Sequence, residues 1–591
     1  MRKQTKLVAV ASAAALLAIG ASMTSFAATG WVEEGGQWYY YNNDGSRAED
    51  EWKKSGDKWF WLDSEEGGAM AIDKVVEDDD DIYYVDSTGA MVTNTWVRVV
   101  NEDQDDDDPA EYHYYYMQSN GKAYTASSNS SSRGTRFRTI DGKRYAFDED
   151  GVMLYGWVND DAEMMTDESD WATVAENVYY LGDWSDGAMK TGWQQITVYD
   201  EEEDDDINHW FYFLSNGKRF YNNNEGDSYR TRNINGKRYG FDNRGVMIYQ
   251  WNLASDGSAT AYQTPSNWSY FNNPEDGARV TRGWFKVIPP NEDNTFGSLD
   301  NSISFDADGA DDEDEYWYYA DGDGELYAGS IERIRGRYYG FAPETSSHPG
   351  RMLSGLVLMK VAEDGSTIDA VADFGIDGDE LDDLISGDAY VSELAEGYSL
   401  YYFGSDADSD GSMKTGSTTV TVDGDTYNFQ FGTSGDTRGR GLTGVDDNKY
   451  IYKAGARIKA DSEDRYQVVR VSGENGVNTT DDSVTVTKIS ASSLRSGDVE
   501  GVDVGTTYRN RDNERVRYVT LDNSDNDAFY LVNASGSVTR NRNAAKDGDD
   551  WYFYVEDRNV KLYTNNNTLR SEDGSVTDWE DLLPEDSTTA E

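Results

Sequence analysis

Carboxylates, aromatic rings and three histidines are the groups with which this chain could do chemistry; it has no cysteine. His113 and His209 stand in equivalent places just ahead of aromatic runs, so with His348 they read as repeat positions rather than one metal site. No His-Glu-x-x-His, Gly-x-Ser-x-Gly or phosphate-loop spacing occurs, and there is no thiolate nucleophile. Glycoside hydrolysis needs only two facing carboxylates, but 112 acidic residues single out no pair. Carboxylates also suit Ca²⁺, a hard cation that takes oxygen ligands. The sharpest spacing for it is Asp406, Asp408 and Asp410 before Gly411, which opens like an EF-hand loop. Its ninth and twelfth positions are Lys414 and Ser417, so a turn is the better reading and a Ca²⁺ site the weaker one. No other cofactor is expected.

The aromatic residues follow a repeated phrase. Its cleanest copy is Tyr179-Tyr180-Leu181-Gly182-Asp183-Trp184-Ser185-Asp186-Gly187-Ala188-Met189-Lys190-Thr191-Gly192-Trp193. Relatives are Gly30-Trp31 with Trp38-Tyr39-Tyr40-Tyr41, Tyr83-Tyr84 with Gly89-Ala90-Met91, and Tyr401-Tyr402-Phe403 with Gly411-Ser412-Met413. A longer period overlies it. Trp96, Trp193 and Trp284 head equivalent segments, each leading to a basic phrase: Ile140-Asp141-Gly142-Lys143-Arg144-Tyr145, Ile234-Asn235-Gly236-Lys237-Arg238-Tyr239 and Ile334-Arg335-Gly336-Arg337-Tyr338-Tyr339. Asn448 to Lys453 is a weaker fourth copy.

The elements that carry these residues are short strands. Trp193 to Tyr199 and Trp210 to Phe213 are rich in β-formers and pair as a hairpin. Asp141-Gly142 and Asn235-Gly236 are hairpin turns, because both positions accept positive φ. An isolated hairpin is marginal in water; stacked copies bury their aromatic faces on one another. The acidic runs Glu77 to Asp81, Glu102 to Asp108, Asp200 to Asp206 and Asp311 to Glu315 fall at hairpin tips. Asp379 to Glu396 suits one or two short helices. The expected fold is all-β: an elongated solenoid of stacked β-hairpin repeats over 28–460, with acidic tip insertions, then a β-rich C-terminal region over 461–591.

Composition agrees. Hydrophobic residues are only 37% of the 591, yet 13% are aromatic, so the buried material is expected to be largely aromatic. Residues 1–27 read as a secretory signal: Arg2, Lys3 and Lys6, then an apolar run, then Ser25-Phe26-Ala27. The formal charge is −60, and loss of that leader, with three basic and no acidic residues, leaves about −63. Such a charge repels nucleic acid and anionic membranes. No other apolar stretch could span a membrane.

At Gly30-Trp31, Trp38-Tyr39-Tyr40 and Gly187-x-Met189-x-Thr191-Gly192-Trp193 the chain resembles the cell-wall-binding, or choline-binding, repeat family, which includes glucan-binding relatives. The resemblance implies ligand pockets formed by aromatic cages between neighbouring hairpins, where a quaternary ammonium or a sugar face meets the rings. The residues it marks are Trp31, Trp38, Trp52, Trp59 and Tyr83, and a second group, Tyr179, Tyr180, Trp193 and Trp210. Leu356 and Ser417 replace opening tryptophans, so units differ. The expectation is a secreted, non-catalytic protein held non-covalently at the cell surface by a wall polymer or extracellular polysaccharide, with choline among its ligands. The alternatives are a structural or adhesive stalk, or a wall hydrolase with its activity in 461–591.

Overall fold

The computed structural model describes residues 29–584 except 106–108, 127–136, 168, 173–176, 201–203, 225, 255–263, 290–313, 347–348, 388, 462–463, 475 and 477–482. The proposed signal, His348 and parts of three acidic runs lie outside the described residues. The chain divides into two compact units, Met1–Ile248 and Tyr249–Glu591.

Both are built of antiparallel hairpins, and the opening tryptophan of each is set opposite an aromatic. Trp31 faces Tyr40, Trp52 faces Trp61 and Trp96 faces Tyr116. Trp157 faces Tyr180, Trp193 faces Tyr212, Trp251 faces Tyr270 and Trp284 faces Tyr319. Directly opposed side chains share one face of the pair, so each hairpin presents a ready aromatic couple. The basic phrases close on the expected turns, with φ of 50° and 81° at Asp141 and Gly142, and 51° and 85° at Asn235 and Gly236. The longest hairpin in this region pairs Gly192–Asp200 with Asp205–Phe213, so part of the acidic run continues the ladder rather than hanging off it.

A second turn follows each hairpin and locks it to the one before. Its leading acid accepts backbone hydrogen bonds two and four residues on, as Asp86 does from Thr88 and Ala90 and Asp321 from Asp323 and Glu325. Beyond the turn the main chain reaches the preceding hairpin. Met91 N donates to Trp59 O, Ala123 N to Ile82 O, Met153 N to Tyr114 O, Met189 N to Arg144 O, and Met247 N to Trp210 O, at 2.7–2.9 Å. In the second unit Met352 N donates to Trp317 O and Met413 N to Tyr338 O. The recurring methionine is itself covered by a glycine of the following turn: a Cβ at Gly187 would lie 2.2 Å from Met153 Sδ, and one at Gly217 2.1 Å from Met189 Sδ.

Up to Phe341 the buried residues form small clusters, several built around aromatic rings and others mainly aliphatic, such as Ala146, Leu154, Val158 and Leu181. Beyond Phe341 the expectation of an aromatic core fails. One cluster joins Leu356, Leu358, Leu381, Leu384, Ile451, Val469 and Val471, and is mainly aliphatic. The reason is local: Leu356 replaces a tryptophan, and the insertion after it supplies the amphipathic helix Gly378–Ser386, started by an Asp377/Glu380 capping box. The short helix Val391–Ala395 follows, so the stretch expected to hold one or two short helices holds two. The cluster runs on across residue 460 into the eight-stranded sheet that includes Tyr466–Gly473 and Asp527–Asn533.

Candidate ligand-binding site

The sequence-marked aromatics do not all meet. In the first hairpins Trp31 sits edge-on to Tyr40 at 5.4 Å between centroids, and to Phe60 of the next hairpin at 5.3 Å. Trp52 contacts Trp61 at 5.3 Å and Tyr83 at 5.0 Å, and its Nε1 donates to Asp78 Oδ2 at 3.0 Å. Trp38 and Trp59 lie nearer the hairpin tips, opposite Glu33 and Lys54. Trp59 is 40% exposed, and Lys54 Nζ stands 5.7 Å from its ring centre.

The second group splits in two. Tyr179 is buried and meets Phe137 at 4.8 Å, whereas Tyr180 packs on Trp157 at 5.1 Å. Neighbouring strand residues point to opposite faces, so the two tyrosines cannot line one cage. Among the described residues neither has a ring contact with Trp193. Burial pushes both hydroxyls up from the ordinary tyrosine value, so they stay neutral. Trp193 and Trp210 do meet, at 6.2 Å, and recruit Tyr212, Tyr239 and Phe241 at 5.2, 4.8 and 5.6 Å.

That five-ring arrangement occurs in each long repeat. Trp96 contacts Tyr116, Tyr145 and Phe147 at 5.2, 4.8 and 5.9 Å, with Tyr114 against the same cluster. Trp284 contacts Trp317, Tyr319, Tyr339 and Phe341 at 6.4, 5.0, 4.9 and 5.7 Å. A sixth ring closes each cluster: Tyr124, Phe220 and Tyr327 in turn, at 5.8, 5.2 and 5.5 Å from the phenylalanine. Centroids this close mean the rings touch, so a ligand has to use the half-buried rim rather than a gap between them.

The three copies differ in charge at the position two residues before the repeated isoleucine. In the first, Arg138 lies over Tyr124 at 5.4 Å; in the second, Arg232 lies over Phe220 at 5.1 Å and Tyr212 at 5.6 Å. There the protein supplies its own cation to the ring faces. The third copy has Glu332, half-buried and opposite Tyr339. Among the described residues no cation lies over Tyr319, Tyr327 or Tyr339, and Glu332 makes no hydrogen bond or ion pair. Burial first, and the Glu332 charge second, push the Tyr327 hydroxyl up. Tyr319 and Tyr327 stack at 5.3 Å with 6° between their planes. This acid-flanked site was missed in the sequence; the signal was the Arg138, Arg232, Glu332 alternation just ahead of the phrases.

Asp406, Asp408 and Asp410 form a turn in which each carboxylate has a different partner. Asp406 accepts from Asp408 N at 2.9 Å, Asp408 from Trp317 Nε1 at 2.7 Å and Lys286 Nζ, and Asp410 from Ser412 and Lys414. Burial opposes ionisation of Asp410, but the Lys414 and Ser412 hydrogen bonds outweigh it and hold its carboxyl at about 2. Among the described residues no group of three or more His, Asp or Glu side chains is gathered to hold a metal. His209 Nε2 lies 2.9 Å from Asp200 Oδ2, and Arg244 Nη1 is 3.1 Å from the same oxygen, a buried polar cluster under Trp171. Among the described residues no helix is long and apolar enough to cross a membrane.

Comparison with known proteins agrees with these repeats. Residues 28–74 match the choline-binding repeat family and residues 203–218 a cell wall binding repeat. The chain therefore carries cell-wall-binding repeats of the choline-binding type. Among solved structures it is similar to the modular autolysin LytC of Streptococcus pneumoniae, at 18% identity over 57% of this chain and 56% of that one, with a TM-score of 0.27. It is also similar to choline binding protein F of the same organism, at 16% identity over 73% of this chain and 100% of that one, TM-score 0.26. The match thus spans little more than half of the autolysin's length. Among curated proteins none matches the chain.

Proposed function

We propose that the chain is a secreted, non-catalytic protein held non-covalently at the cell surface by a choline-bearing wall polymer. Its hairpins stack as a solenoid within each unit, with their aromatic rims as the contact sites. The observation that carries this reading is the third cluster, where Glu332 stands opposite Tyr339 and beside Tyr327, and no cation among the described residues lies over Tyr319, Tyr327 or Tyr339. A quaternary ammonium over such rings gains ~1–2 kcal/mol when desolvated, and a partly buried carboxylate beside it adds attraction that neutral sugars would not feel. Copies one and two, filled by Arg138 and Arg232, are structural or bind more weakly. Several modest sites on one polymer still give useful avidity.

The test is choline titration of the full chain, followed by tyrosine and tryptophan fluorescence and by retention on choline-agarose. Glu332→Gln should weaken choline by about twofold to fivefold, in line with a partly exposed ion pair. Glu332→Arg, which recreates the second copy, should abolish binding at this site. Choline binding unchanged in Glu332→Arg, or retention on α-glucan but not on choline-agarose, would overturn the reading.

A further inference from the structure

Beside the C-terminal sheet lies a pocket of about 340 Å³ that the aromatic repeats do not explain. Ligand pockets run from about 300 to 1,000 Å³, so this one suits a single small unit. It opens at the edge of the eight-stranded sheet, where Val502–Val504 pairs with Tyr518–Leu521. Val504 and Val519 oppose one another on its apolar side, and Val504 is 60% exposed. The Tyr518 ring lies against Gly505, where a Cβ would come within 2.1 Å of it, and Gly505 N donates to Tyr518 O at 3.0 Å. Thr507 adds a hydroxyl to the lining, and the buried Trp551 completes it. A turn pins Trp551 in place, since Asp547 accepts from Asp549 N and Trp551 N, each at 2.8 Å.

Two guanidinium groups meet at the Trp551 ring, Arg495 at 5.6 Å and Arg517 at 5.7 Å from its centre. Their commitments differ. Arg495 Nε donates to Ala491 O at 3.1 Å, and its Nη2 donates to Asp549 Oδ2 at 2.9 Å. Arg517 is exposed, and among the described residues its guanidinium has neither a carboxylate nor a hydrogen-bond acceptor. The Asp549 side chain is 61% exposed, and an ion pair so open to water is worth only ~0–1 kcal/mol, so it is a weak rival for the pocket. Between Thr507 and Arg517 the chain makes the short hairpin of Tyr508–Arg509 with Arg515–Val516. Its Arg509, Arg511 and Arg515 outnumber Asp512 and Glu514, and Glu514 already accepts from Asn510 and Asn566. In a chain of 112 acidic and 52 basic residues this is a local reversal of charge, and a cleft of one sign gathers ions of the other. A guanidinium stacked on a ring keeps its N–H edge free for a two-oxygen anion. We infer that this pocket is a second ligand site, separate from the aromatic rims, for a small unit bearing a carboxylate or phosphate. The anion takes the fork of Arg517, and the body of the ligand rests on Val504 and Tyr518.

The experiment is calorimetric titration of the full chain with glucuronate, with glucose 6-phosphate and with neutral glucose. Each is run at about 0.01 M and about 1 M NaCl, where the screening length falls from ~30 to ~3 Å. Expected is one-to-one binding of an acid that high salt weakens; the tighter of the two acids identifies the source of the charge. Arg517→Gln should weaken it about tenfold, a loss of ~1.4 kcal/mol. Arg517→Lys, which keeps the charge but not the fork, should lose less. Asp549→Asn removes the rival carboxylate and should tighten binding about threefold, a gain that damage to the fold would not produce. Glu332→Gln should leave it unchanged, so failure of the choline reading does not touch this one. Equal binding of glucose, no binding of either acid, full affinity in Arg517→Gln, or no gain in Asp549→Asn would overturn the inference.

Discussion

Gly217 shows how a single position can serve two repeats. Its φ of +88° belongs to the left-handed region, and a Cβ there would strike Met189 Sδ at 2.1 Å. Met189 belongs to the preceding repeat, so the Gly-x-Met signature is one contact made between neighbours. Overpacking costs about 1–3 kcal/mol and a left-handed non-glycine about 1–2 more. Gly217→Ala should therefore lower the melting temperature of the first unit by several degrees, read by circular dichroism. Gly236→Ala, at an open turn with nothing within 4 Å, should bear only the backbone cost. Asp148 gives a pH prediction. Burial, helped by the Asp150 charge and opposed by the Val152 N hydrogen bond, pushes its carboxyl up from 3.8 to about 6. The folded state thus favours the protonated form. Its contribution is fully present below about 4 and is lost as pH rises through about 6, by ~3 kcal/mol at 1.36 kcal/mol per unit. Asp148→Asn keeps an acceptor for Val152 and should remove this part of the decline between pH 4 and 6, seen as a smaller drop in melting temperature than in the parent.

At the scale of the hairpin, tryptophans alike in sequence divide into two jobs. Trp251 is fully buried, with Nε1 donating to Ile288 O at 2.8 Å and rings of Tyr270 and Tyr318 around it. Trp284 heads the next hairpin but is only half-buried on the acid-flanked rim. Truncating a buried tryptophan costs about 3–5 kcal/mol. Denaturant unfolding should therefore show Trp251→Ala strongly destabilised. Trp284→Ala should lose less stability and yet lose more choline affinity. The repeat phrase makes both residues legible as strand aromatics, because period-two patterning and glycine turns set register locally. It cannot rank their exposure, since that depends on what the following hairpin lays against them. The same limit explains why Tyr179 and Tyr180, adjacent in the phrase, end on different faces in different clusters.

At the scale of the molecule, the two compact units should unfold separately, giving at least two calorimetric transitions. A formal charge of −60 on 591 residues opposes compaction, so both transitions should move up as salt screens it. A single transition, or no rise with NaCl, would contradict this.

By itself the sequence determined the hairpins, their turns, a short helical stretch near Asp379 to Glu396 and the kinship with choline-binding repeats, because strand period, turn chemistry and helix caps act over a few residues. Tertiary structure decided the rest. It set which rings touch, seated Met153 and Met189 under glycines of the following turns, and built beyond Phe341 a mainly aliphatic cluster that runs across residue 460. It also set Glu332 half-buried opposite Tyr339, with no cation among the described residues over Tyr319, Tyr327 or Tyr339. These depend on contacts between residues far apart in the chain, where packing rather than local pattern sets the outcome.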